Sequence, residues 1–114
     1  MNVEVIIVQT FKPAFKRLRK KYRSLDDDMA HLITDLRKNP LQGISIGHGM
    51  RKMRLPISSK SKDKSGGARV ISHVTVVAEV EAATVRLLKI YDKSEQENLS
   101  EGELNILLKR NNLL

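Results

Sequence analysis

Lys52 and Arg54 in "RKMRL", Arg69 after the glycines of "KSGGARVI", and Lys89 and Lys93 in "LLKIYDKSE" are spaced as strand residues would be. A guanidinium fork fits two phosphate oxygens and stays charged at any working pH, and a lysine adds a point charge beside it. Tyr91 lies among them. Its ring could stack on a base, and a phenol surrounded by cations can have its pKa lowered enough to accept a proton. His73 is a candidate general base near neutral pH. Lys60, Lys62 and Lys64 fall within five residues, just before Gly66 and Gly67. Such a loop can gather phosphate, and glycines let backbone approach it closely or adopt positive φ. No Ser/His/Asp set, phosphate-loop fingerprint or paired catalytic carboxylates accompany these residues, and the histidines and acids lack metal-ligand spacing. Neither a metal nor a cofactor is expected.

The composition points the same way. In 114 residues, 21 Lys and Arg against 13 Asp and Glu give a net charge of +8. Such a field favours a polyanion, most often nucleic acid, although basic residues also keep a small protein soluble. The absence of cysteine excludes disulfides and thiolate metal sites. No apolar run is long enough to span a membrane, and "VEVIIV" is short and carries Glu4. A cytoplasmic protein with no membrane partner is expected, with residues 1–114 as a single domain.

The elements that must position these residues follow from periodicity. "NVEVIIVQT" reads as a strand ending near Thr10. Phe11, Phe15, Leu18 and Tyr22 then recur at helical spacing, with Thr10 as N-cap and Pro13 in the first turn. Ser24 opens a second helix with Asp26, Asp27 and Asp28 at its positive end, stopped by Asn39-Pro40. A brief strand is expected within "LQGISIGHGM", then strands in "MRKMRLPI", "ARVISHVTVVAEV" and "TVRLLKIYD". "NLSEGELNILLKR" reads as a C-terminal helix with the Ser100/Glu103 capping-box pattern. The fold class is α+β: a strand and helical hairpin on a mainly antiparallel sheet plus a C-terminal helix, the helices segregated on one face. Alternation sends Met53, Leu55, Val70, Val74, Val76, Leu88 and Ile90 to the core. It leaves Lys52, Arg54, Arg69, His73, Lys89 and Tyr91 on the other side, with Lys93 just beyond and Asp92 at the margin. The lysine loop is expected to overhang that face.

In the order "FKRLRKKYRSL", "LRKNPLQG", "RKMRL", "KSGGARVI", "LLKIYDKSE", "NLSEGEL", the chain resembles the RelE superfamily of toxin–antitoxin ribonucleases, on the RelE/HigB-like side rather than the ParE side. The resemblance runs through nearly the whole chain. It implies a helical hairpin against an antiparallel sheet and metal-independent cleavage of messenger RNA in the A site of a translating 70S ribosome. It also implies a partner antitoxin that wraps the toxin and blocks the groove. By this resemblance Lys52, Arg54 and Arg69 carry the family's strand-borne basic roles, and Lys93 falls near the basic position after the last strand. The later tyrosine of RelE falls near Leu99, so Tyr91 is the nearest substitute. Histidine and acidic residues in HigB-type members keep His48, His73 and Asp92 in play. Two other readings stay open: a ParE-like inhibitor of gyrase that cleaves nothing, and a non-catalytic RNA- or ribosome-binding module.

Overall fold

The computed structural model describes residues 1–60 and 67–114. It is an α+β arrangement with a five-stranded mixed sheet and, among the described residues, three α-helices. Strand β1 (Asn2–Ile7) leads through a 3-10 turn at Gln9–Phe11 into helices α1 (Lys12–Lys21) and α2 (Leu25–Lys38). Strands β2 (Ile44–Gly47), β3 (Met50–Leu55), β4 (Ala68–Val77) and β5 (Ala82–Asp92) follow, and helix α3 (Glu101–Arg110) is the last element. The sheet order is β1-β5-β4-β3-β2, with β1 parallel to β5 and the other neighbours antiparallel. No helix among the described residues is long and apolar enough to cross a membrane.

Each helix has local causes. Pro13 sits in the first turn of α1, where its missing N–H costs nothing, and Arg19, Lys20 and Lys21 oppose the negative end of the dipole. In α2, three aspartates occupy the first turn and Arg37 and Lys38 the last. Ser24 precedes α2 as expected, but its hydroxyl does not cap the backbone. It donates to Asp28 (2.7 Å), whose buried carboxylate also accepts from the backbone N–H (3.2 Å) and hydroxyl (2.7 Å) of Ser58. The start of α2 is thereby latched to the segment leaving β3. Ser100 and Glu103 form the expected capping box of α3.

The inner face of the sheet packs Met53, Leu55, Ala68, Val70, Val85, Leu87 and Ile90 against Phe11, Leu18, Leu25, Met29, Leu32 and Leu36 of the helical hairpin and its lead-in. The expectation of all helices on one face fails at α3. Leu107 and Leu108 pack on the opposite, outer face with Met50, Ile71, Leu88 and Tyr91. A stripe of leucines fixes which side of a helix is buried but not which side of a sheet it covers. Burying a leucine is worth about 1.5–3 kcal/mol, so these two side chains contribute a large part of what holds α3 against the sheet.

A β-bulge explains a second departure. Lys89 pairs with Ile71 and Leu87 with Ser72, which leaves Leu88 as the extra residue. Leu88 and Lys89 therefore both face outward, and Leu88 belongs to the α3 cluster rather than the hairpin core. Thr10 holds the bulge. It does not cap α1; its hydroxyl donates to the Leu88 carbonyl at 2.7 Å and accepts from the Asn111 amide at 3.1 Å.

Candidate nucleic-acid interface

The register places the strand cations together. Arg54 pairs directly with Arg69 across β3 and β4, and Lys52, two residues along, pairs with Ile71. All three therefore project from the outer face. Arg54 is exposed, and Arg69 and Lys52 are half-buried. The Arg69 guanidinium also donates to the Ala68 carbonyl at 3.2 Å. Arg51, of inward parity, is held apart by the carbonyls of Gln42 (3.2 Å) and Gly43 (2.9 Å).

The connection between β5 and α3 forms one wall. Lys93 pairs with Glu97, its ammonium 3.4 Å from the backbone carbonyl and 3.8 Å from the carboxylate. One residue on, the Asn98 side-chain carbonyl accepts from Lys52 at 2.9 Å. The connection thus crosses the outer face from β5 to β3. The rest of that face lies under α3. Lys89 projects beside α3 and lines a groove with Leu99, Glu103 and Ile106. Its charge helps hold the Glu103 carboxyl below the usual range, after the larger effect of the Ser100 hydrogen bonds.

Tyr91 lies opposite Arg69 and faces outward as expected, but α3 covers it, leaving 3% of it exposed. Burial raises its pKa, and the nearby Arg69 charge only partly offsets that. In this arrangement the ring cannot stack on a base and the phenol is a poorer base than usual, contrary to both expected roles. His73 is also on the outer face, opposite Met50 and Arg86. Its pKa is lowered by burial and by the Arg86 charge. His73 lies four residue steps along β4 from Arg69, about 13 Å at roughly 3.3 Å each, with the covered Ile71 between them. The fold does not bring His73 to the Arg54–Arg69 pair. His48 lies in the β2–β3 turn, on the side of Met50 away from Lys52.

Asp92 is a correction. Rather than edging the cationic face, it is fully buried on the side of the helical hairpin. Its carboxylate accepts from the Lys60 ammonium (2.8 Å), the Tyr22 hydroxyl (2.5 Å) and the Ser94 backbone N–H (2.9 Å) and hydroxyl (2.7 Å). Burial pushes its pKa up, but the hydrogen bonds from Lys60, Tyr22 and Ser94 outweigh that and hold it well below the usual carboxylate range. Lys60 is consequently no part of the exposed surface. Its side chain is 5% exposed and committed to this ion pair. Lys62 and Lys64 lie outside the described residues.

Sequence reasoning missed Asn98 and the Lys60–Asp92 pair, both formed between residues more than 30 apart in the chain. No local pattern signals such contacts. Among the described residues, no group of three or more His, Asp or Glu side chains is placed to hold a metal ion. The chain matches no family model and no curated protein sequence.

Proposed function

We propose that this protein is a RelE-like toxin of a toxin–antitoxin pair, an endoribonuclease that cuts messenger RNA on the ribosome. The observation that carries the reading is the cross-strand Arg54–Arg69 pair, with Lys52 on the same face. Like charges directly opposite on a sheet cost stability, a cost that an anionic ligand would offset. A phosphodiester between two guanidinium forks supplies one.

The reaction needs the ribose 2′-OH to give its proton to solvent and attack the adjacent phosphorus in line, while the bond to the 5′-oxygen breaks and that oxygen takes a proton. Arg69 and Arg54 would hold the non-bridging oxygens as negative charge grows on them. Lys52, fixed by Asn98, would orient the backbone. Lys93, at the end of the wall, is the cation nearest the role of acid toward the leaving oxygen. Metal independence rests on the family resemblance. Among the described residues the trio is rich in fixed charge, while Tyr91 and His73 are kept from it, so an external scaffold would supply what holds the message close to its reactive geometry. A translating ribosome does that.

Primer extension on translated message tests this reading. Cuts at codon-spaced positions are expected when the purified protein meets programmed ribosomes, and little cleavage of the same RNA free in solution. Equal cleavage of both would remove the ribosome from the account, and cleavage of neither would favour a binding module. Burial of Tyr91 and the distance of His73 are what keep that second reading in view.

A further inference from the structure

Lys60 and Gly67 flank residues 61–66, and the structure ties these two ends together. The Lys60 ammonium donates to the Gly67 carbonyl (3.2 Å) as well as to Asp92, and the same carbonyl accepts from the Lys93 backbone N–H (3.1 Å). Gly67 has φ +48°, and a Cβ there would lie 2.5 Å from the Leu55 carbonyl oxygen, so only glycine fits this approach. Below the ammonium, the Tyr22 ring sits 5.6 Å away and its hydroxyl binds the other Asp92 oxygen. One carboxylate thus joins α1, the end of β5 and the neck of the segment between β3 and β4. A buried ion pair is seldom more stabilising than a packed apolar pair, and its best use is to fix one geometry. What it fixes here is the start of β4. Arg69 is two residues beyond Gly67, with the fully buried Ala68 between them.

We propose that Lys60 and Asp92 form a clasp that positions Arg69 on the outer face, making both positioning residues for the cationic site although neither touches it. The positioning role rests on the cleavage reading above. The clasp itself does not.

Two measurements separate them. In the intact protein, acetic anhydride should modify Lys60 at least tenfold more slowly than the exposed Lys12 and Lys16. Lys60 reacting as fast as those lysines would overturn the clasp, whatever the protein does to RNA. In the ribosome cleavage assay, Lys60→Met should lower kcat by about ten- to a hundredfold with KM within about twofold, as expected when a transition-state contact is displaced by about an ångström. Lys60→Arg should recover part of that loss. If Lys60→Met does not fold, Tyr22→Phe, which removes one donor to Asp92, should lower kcat a few-fold in the same pattern. A folded Lys60→Met protein with wild-type kcat would overturn the positioning role. Failure of the wild-type protein to cut translated message would end the cleavage reading and with it that role, while the acetylation result would still decide the clasp.

Discussion

The Tyr91 hydroxyl is buried beneath α3 with no hydrogen-bond partner among the described residues. An unsatisfied buried hydroxyl costs about 1–3 kcal/mol, so Tyr91→Phe should melt at the same temperature or higher. Cleavage should be retained, because the phenol is kept from acting as a base; a large loss of rate without loss of fold would return Tyr91 to the mechanism. His73 makes a second prediction at this scale. Its pKa is lowered from 6.5 by burial and by Arg86, and its ring packs against Gly49, whose lack of a Cβ leaves room for it. Below pH 6.5 the unfolded chain binds a proton that the folded one resists, so the contribution of His73 is intact above pH 6.5 and is lost as pH falls. An imidazole NMR titration should give a midpoint below 6.5, and a midpoint above it would contradict this environment.

At the scale of elements, the 2.0-residue period placed Lys52, Arg54 and Arg69 on one face because β3 and β4 keep strict alternation through their pairing. The same rule failed on β5 because a single extra residue, Leu88, inverts the parity on one side of it. Nothing in "RLLKI" marks that residue, since either parity leaves an apolar side chain inward. What fixes the bulge is distant: Thr10, 78 residues away, and Asn111, at the end of α3. Helix starts were readable from Pro13, the aspartates of α2 and the Ser100/Glu103 box, all of them local. The side of the sheet covered by α3 was not, because it depends on contacts across the whole chain. Thr10→Val keeps the shape but leaves the buried Leu88 carbonyl without this donor. It should cost about 1–3 kcal/mol in urea unfolding. An unchanged midpoint would mean that the bulge is held by packing alone.

The whole molecule presents cations on both sides of the sheet. On α1, Lys12, Lys16 and Lys20 recur at four-residue spacing, exposed and without an ion pair among the described residues. Their neighbours Arg17 and Lys21 are paired with Glu95, and Arg19 with Asp26. A net charge of +8 draws in any polyanion and does not by itself say which surface works on it. The two surfaces differ in construction. The α1 row stands on long side chains in solvent, whereas the outer-face trio is fixed by strand register and, at Lys52, by Asn98. The most direct measurement is single-turnover cleavage on programmed ribosomes by Arg69→Ala and Lys16→Ala, each lacking one positive charge, with melting followed by circular dichroism. Arg69→Ala should lose about a hundredfold in rate, roughly 3 kcal/mol of barrier, with its melting unchanged. Lys16→Ala should lose little beyond association rate. Equal losses in the two variants, or a loss at Arg69 that tracks unfolding, would contradict a phosphate site on the outer face of the sheet.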